Sequence, residues 1–281
     1  AFNDSMVGDL RRLADGVRAH DSVLIGQVQD TGRGRHVPGR TYQALGASAL
    51  PDDLSYSMPR AMGVDEIARF IEHTAQSCLR MQACGFGGIE VSAGHGHLFH
   101  QFLSPRSNQR DDAYGGDGPR RLRFLVEICQ AVRDLCGPGF IIGVKLPGDD
   151  GVPGGIALHQ AGEIAQALVA AVGVDYLTYC QGSHHRSLEM HLPDDSYPRQ
   201  TYMGLIRALK AWTPTVERSD ERIRFKQFGT RGVDQHGRGL HARQVIGFDN
   251  VVGGFIEAQM QAQDVSLFEK GFPRRGTFIA L

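Results

Sequence analysis

Residues 85–124 read GFGGIEVSAGHGHLFHQFLSPRSNQRDDAYGGDGPRRLRF, and this stretch decides the fold. A short apolar run from Gly88 to Ser92 has the length and β-branched content of a strand. It passes into a long segment, His95 to Pro119, rich in Gly, Ser, Asn and Asp, the residues of turns and loops. From Arg120 to Leu135 apolar residues then recur at three and four spacing, the period of a helix packed on one side.

The same order repeats on both sides. Strand candidates are Ser22 to Gln29, Gly88 to Ser92, Phe140 to Leu146, Val174 to Cys180, Ile223 to Phe228 and Asn250 to Gly254. Helix candidates are Met6 to Arg18, Val64 to Cys84, Arg120 to Leu135, Leu158 to Ala171, Gln200 to Lys210, Leu240 to Ile246 and Ile256 to Phe268. Every helix after the first follows a strand, as right-handed crossovers in a parallel sheet require. The expected fold is therefore α/β, a (β/α)8 barrel. Six strands are legible where a closed barrel has eight, so the chain is expected to lack its first one or two strands at the amino end. The rival, an open dinucleotide-binding sheet, loses its main support because no G-x-G-x-x-G follows any strand candidate. The long segments after strands, Thr31 to Gly63, His95 to Pro119, Pro147 to Ala157 and Gln181 to Arg199, should gather at the carboxyl end of the barrel, where active sites are built.

Bulk properties narrow the function. The 281 residues suit one large domain, 1–281, and 41% hydrophobic with 22% charged residues is ordinary for a globular chain. No apolar run approaches the roughly 20 residues that span a bilayer. A formal net charge of −1 gives no field to gather nucleic acid or an acidic membrane. The five cysteines form no C-x-x-C pair, so a reducing, cytoplasmic setting is expected. No metal site is legible.

The run Gln101, Phe102, Leu103, Ser104, Pro105, then Asn108, Arg110, Asp112, Tyr114, Gly115 and Gly116 fits the pattern QFLSP-x-x-N-x-R-x-D-x-YGG. With it, residues 85–124 resemble the strand, active-site loop and following helix of the old yellow enzyme (NADH:flavin oxidoreductase) family. GQVQDTGR at Gly26 to Arg33, GVKLPGDDGVPGG at Gly143 to Gly155 and VDYL at Val174 to Leu177 fall in family order, and the resemblance runs to about Pro198. It implies an FMN-binding barrel. A flavin needs its phosphate held by backbone amides and its N1 and O2 region faced by a positive group. The resemblance gives Lys145 that positive role and gives Gln27 the pyrimidine edge, with Gly229, Gly253 and Gly254 supplying amides to the phosphate. Residues alone leave open a barrel-mouth Lys145 paired with Asp149 or Asp150.

The strand end Ser92, Ala93, Gly94, His95, Gly96, His97 carries the chemistry. In ene reductases of the family, His at the first position and His or Asn at the fourth bind a substrate carbonyl. Here Ser92 stands first, His95 fourth, and His97 takes the place of a tyrosine proton donor; either histidine could instead bond a loop carbonyl. Ser92 points to the amine-oxidising branch, which includes trimethylamine dehydrogenase and the dimethylglycine and N-methylproline demethylases. The loop QGSHHRSLEMHLPDDSYP, Gln181 to Pro198, resembles that branch too. The chemistry implied is hydride loss from an N-methyl carbon, giving an iminium that water hydrolyses. A cationic substrate needs an aromatic wall or a carboxylate, and the sequence does not choose among Tyr56, Tyr179, Tyr197, Glu189 and Asp194.

Departures from the family pattern are Asp30 in place of a histidine, Phe255 or Ile256 in place of a phosphate-binding arginine, and the absence of a Glu-Asn pair in Pro119 to Arg123. The charge-rich stretch Trp212 to Gly239 reads as a solvated loop. The iron–sulfur cysteines of longer members of the branch are not found in this chain. The leading expectation is FMN-dependent oxidative N-demethylation of a methylated amine or amino acid. NAD(P)H is a candidate electron partner, as is an electron-transfer subunit, and a homo-oligomer is left open. The alternatives are an NAD(P)H-dependent ene or 2,4-dienoyl-CoA reductase and a flavin-free structural or regulatory barrel subunit.

Overall fold

A computed structural model describes residues 4–34, 44–53, 58–183, 190, 203–213, 223–226, 267–271 and 275–280. Its strands are β1 (Ser22–Val28), the short β2 (Leu45–Gly46) and β3 (Arg60–Ala61), β4 (Gly88–Ser92), β5 (Ile141–Asp149), β6 (Tyr176–Gln181), β7 (Ile223–Lys226), β8 (Leu267–Gly271) and β9 (Arg275–Ala280). The helices are α1 (Val7–Arg18), α2 (Val64–Ala83), α3 (Leu98–Leu103), α4 (Gly118–Cys136), α5 (Leu158–Val172) and α6 (Met203–Lys210).

Strands β1, β4, β5 and β6 are neighbours in that order and pair in parallel, with Gln27 opposite Glu90, Ser92 opposite Lys145 and Lys145 opposite Thr178. Each new strand adds on the same side with a helix between, so the order never reverses, which makes this half of a (β/α)8 wall and not a doubly wound sheet. The alternation of side chains gives the wall two faces. Leu24, Ile89, Val91, Ile142 and Val144 point into the large core beneath the helices. Ile25, Ile141 and Tyr176 form a separate small apolar layer on the concave face.

The far side differs from the sequence expectation. β7 does not continue the parallel series; it pairs antiparallel with β8, β8 pairs antiparallel with β9, and β9 lies parallel on the edge of β1. The helix expected over Ile256 to Phe268 meets β8 at Leu267 and Phe268, and the remainder lies outside the described residues. Short apolar runs fit both periods, and the breakers Gly271 and Pro273 followed by Thr277, Phe278 and Ile279 favour a hairpin. The strand expected at Asn250 to Gly254 and the helix expected at Leu240 to Ile246 lie outside the described residues.

An aromatic cluster joins the outer helices. Phe124 of α4 lies 4.3 Å from Phe102 and 5.6 Å from Phe99, both on α3, and 5.7 Å from Phe70 of α2, measured between ring centroids. In α3 the three-residue spacing puts Phe99 and Phe102 on one side, so a six-residue helix is held by its aromatic pair. No helix among the described residues is long and apolar enough to cross a membrane.

Phe124→Ala should lower the free energy of unfolding by about 3–5 kcal/mol, since it removes the ring shared by three helices. Urea denaturation followed by circular dichroism measures this, and a loss under about 1 kcal/mol would contradict the packing described.

Candidate active site

Above the small apolar layer the concave face turns polar, and one carboxylate organises it. Glu90 sits mid-strand in β4 with 1% of its surface exposed. Gln27 Nε2 of β1 donates to Glu90 Oε1 at 2.9 Å, and Lys145 Nζ of β5 lies 3.6 Å from the same oxygen. Thr178 Oγ1 of β6 donates to Glu90 Oε2 at 3.2 Å. The Tyr176 ring lies across Gly143, where a Cβ would come within 2.0 Å of it. Burial, with Glu90 beside it, pushes the Tyr176 hydroxyl well above its usual value. A buried charge is tolerated only when paired or hydrogen-bonded, and here four parallel strands contribute to one such network. Residues alone offered Asp149 or Asp150 as partners of Lys145; the structure brings Glu90 to it from the neighbouring strand.

Because the amide nitrogen of Gln27 is committed to Glu90, its carbonyl oxygen is left to accept from a ligand. An acceptor beside a cation suits a ring that carries an N–H flanked by carbonyl oxygens. Lys145 and Ser92 are buried register partners, and Ala93 N donates to Lys145 O at 2.8 Å. The residues after β4 therefore leave the sheet at the same end as Lys145.

Backbone hydrogen bonds tie the turn 93–98 to itself and to the segment after β1. His97 N donates to Gly94 O at 3.3 Å and Leu98 N to Asp30 O at 2.9 Å. Gly94 packs on Cys180, whose Sγ would lie 2.1 Å from a Cβ at that position. His95 takes a left-handed φ of 58° and is 9% exposed, while His97 stands at the amino end of α3 with extended backbone. Asp30, the departure from the family's histidine, makes a local turn by accepting from Gly32 N at 2.8 Å.

The loop that carries the recognition pattern is a structural lock. Asn108 Nδ2 donates to Phe102 O and Tyr114 O, each at 2.7 Å, and Asn108 Oδ1 accepts from Arg110 N at 3.1 Å. Arg110 holds Asp112 and reaches Ala47 O at 2.8 Å and Met62 O at 2.7 Å. The Arg110 guanidinium keeps the Asp112 carboxyl below its ordinary value. Tyr114 donates to Glu127 at 2.8 Å, and burial pushes its hydroxyl up to about 12. These residues brace the segments after β1 and β4 against each other.

Gln27, Ser92, His95, His97 and Lys145 thus share one end of the half-barrel. Gly229, Gly253 and Gly254 lie outside the described residues, as do Phe255, Ile256, Tyr56, Glu189, Asp194, Tyr197 and nearly all of the loop 184–198. Tyr179 alternates to the helix side, packs against the large core, and its hydroxyl is pushed up to about 12 chiefly by burial, so it is no wall for a ligand on the concave face. Sequence reasoning missed Glu90, His100, Gln101 and Asp150 as site residues. The signal for Glu90 was a single carboxylate between Ile89 and Val91 in a strand buried throughout. No group of three or more His, Cys, Asp or Glu suited to a metal ion occurs among the described residues.

Comparison with known proteins identifies the family. Residues 1–203 match the NADH:flavin oxidoreductase / NADH oxidase family. A metal reductase of Desulforamulus reducens is 32% identical over 203 residues, covering 71% of this chain and 30% of that protein. An N,N-dimethylglycine/sarcosine dehydrogenase of Chromohalobacter salexigens is 31% identical over 210 residues, covering 74% of this chain and 30% of that protein. Among solved structures, a 2-naphthoyl-CoA reductase in complex with 2-naphthoyl-CoA superposes with a TM-score of 0.67 at 28% identity, over 74% of this chain and 33% of that one. The chain spans 30% of the length of both curated relatives.

Glu90→Gln keeps the shape of the network and removes a carboxylate from beside a buried ammonium, which should cost about 3 kcal/mol of stability. Adding Lys145→Met to it should restore part of that loss, because the buried cation goes as well. Urea midpoints of the two single variants and the double variant measure the coupling, and strictly additive losses would show that Glu90 and Lys145 do not interact.

Proposed function

Because the chain belongs to the NADH:flavin oxidoreductase / NADH oxidase family, we propose that residues 1–281 form the larger part of one FMN-binding barrel domain that carries out oxidative N-demethylation of a methylated amine or amino acid. The observation that carries this reading is the meeting of Gln27 and Lys145 on one oxygen of Glu90, at the strand ends from which the His95 turn rises. FMN, when bound, supplies the two-electron acceptor for hydride from an N-methyl carbon. Gln27 offers its carbonyl oxygen to the ring N–H. Lys145, held beside Glu90, would supply a positive group to the N1 and O2 region of the ring in a buried layer, where such a charge acts most strongly. Gly229, Gly253 and Gly254 are the residues we assign to the phosphate.

His95 faces the substrate. A non-glycine residue at positive φ costs of order 1–3 kcal/mol and persists where its surroundings enforce it, often at functional sites. His97, at the start of α3, is the residue we assign to proton transfer, since imidazole exchanges protons near neutral pH. Ser92 is short and buried and offers one hydroxyl where two donors would grip a carbonyl, which favours an amine as substrate over an enone. The oxidised carbon becomes an iminium; water adds to it and releases formaldehyde and the shortened amine. The dehydrogenase relative, named for dimethylglycine and sarcosine, supports this substrate class. The electrons pass on to a nicotinamide or to an electron-transfer subunit. Five buried free thiols suit the reducing, cytoplasmic compartment we assign.

A second reading, an NAD(P)H-dependent ene or 2,4-dienoyl-CoA reductase, is favoured by the name of the 2-naphthoyl-CoA reductase among the solved structures. Anaerobic mixing of the flavin-loaded protein with N,N-dimethylglycine, sarcosine or trimethylamine separates the two. Bleaching of the flavin bands without nicotinamide is expected; bleaching by NAD(P)H alone overturns demethylation in favour of reduction. A colourless protein that FMN cannot reconstitute overturns both and leaves the flavin-free subunit. Lys145→Met should weaken FMN retention or slow its reduction by roughly a hundredfold to a thousandfold, the range for the rate lost with one stabilising group. His95→Ala should slow amine-dependent bleaching while FMN content stays at the parent level; equal loss of both would make His95 structural.

A further inference from the structure

Two consecutive residues of the turn between β4 and α3 are left-handed, His95 at φ 58° and Gly96 at φ 78°. Such a turn holds only if its surroundings over-determine it. Gly96 is gripped at both of its backbone polar groups by successive side chains of α3. Its N–H donates to His100 Nδ1 at 2.7 Å, and its carbonyl accepts from Gln101 Nε2 at 2.8 Å. Gln101 also reaches back to the segment after β1, donating to Thr31 O at 3.3 Å and accepting from Arg33 N at 3.2 Å.

Since Nδ1 of His100 is an acceptor, its imidazole carries the proton on Nε2. That nitrogen faces Asp150 Oδ1 at 2.9 Å, bent away from the line of an ideal hydrogen bond, with the two side chains 3% and 2% exposed. Asp150 is fixed in turn by Ile156 N at 2.7 Å and Ser104 Oγ at 3.3 Å, and it directly follows β5, the strand of Lys145. A carboxylate behind an imidazole sets which nitrogen is protonated and how the ring lies. We infer that His100, oriented by Asp150 and assisted by Gln101, is a positioning residue that clamps the His95–Gly96 turn and thereby sets the aim of His95 on the substrate. This rests on the role proposed for His95. It ties the aim of that residue to the strand end that bears Lys145, so the two halves of the site move together.

The test uses the full chain with FMN and, separately, without it. In the loaded protein, His100→Leu should lower the limiting rate of amine-dependent bleaching roughly tenfold to a hundredfold, the effect of a small misplacement, while the amine concentration at half-maximal rate stays close to the parent value. His100→Asn, which keeps an acceptor for the Gly96 N–H, should recover most of that rate. His95→Ala combined with His100→Leu should be no slower than His95→Ala alone, because His100 acts through His95. In the flavin-free protein, nitrogen NMR should show His100 protonated at Nε2 and bare at Nδ1, and the His95 ring signals should move in His100→Leu and return in His100→Asn. Protonation at Nδ1, unmoved His95 signals, or rate losses that add in the double variant overturn the clamp. Should methylated amines fail to bleach the flavin, the function reading falls, and the NMR arm decides the clamp by itself. Should His100→Leu fail to fold, His100→Asn and the tautomer of the parent protein decide it.

Discussion

Burying one carboxylate in a parallel sheet is the constraint on which the site depends. Glu90 is buried, so the strands around it present a donor or a cation at its level: Gln27 from β1, Lys145 from β5, and Thr178 from β6 beyond it. That requirement fixes the register as firmly as the hydrophobic alternation does, since a slip of one residue would send all of these groups to the helix side. It also fixes chemistry. The network decides which end of the Gln27 amide is presented and keeps the Lys145 ammonium buried without exposing it to solvent.

A division of labour follows along the segment after β4. Its first residues, 93–97, form the strained turn at the strand ends. Its middle, α3, looks two ways, with Phe99 and Phe102 in the outer aromatic cluster and His100 and Gln101 toward the turn. In its last part, from Ser104 to Gly116, the Asn108 side chain holds the segment's own backbone and the Arg110 side chain braces the segment after β1. The residues that make the pattern recognisable are thus mostly those that hold the loop, whereas the residues with chemical capacity stand beside them.

This explains what could be read from the sequence. The strand and helix periods located four parallel strands and five of the helices to within about three residues at either end, because each carries an apolar stripe. The six-residue α3 escaped because Leu98–Leu103 is apolar and aromatic nearly throughout, so no period stands out. β8 and β9 escaped for a related reason: runs this short fit a helix or a strand equally, and neighbouring strands decide. That Ser92, His95 and Lys145 lie at one end of the sheet was legible, because each sits close to the end of an expected strand whose period is clear. Glu90, His100 and Asp150 were not, since a charged or polar residue discloses its partner only when strands that are distant in sequence come into register. Asp150 was noticed as a carboxylate near Lys145 in sequence, while its bonds run to His100, Ser104 and Ile156.

The two-sided character of α3 makes it a short lever with its bearing in the aromatic cluster. Successive residues of a helix point about 100° apart, so a small roll of α3 about its own axis would carry the imidazole and the amide away from the Gly96 peptide together. The bearing surface is shared with Phe70 of α2 and Phe124 of α4. A change in side-chain volume at Phe70 or Phe124 therefore bears on the angle at which α3 presents His100 and Gln101 to the Gly96 backbone.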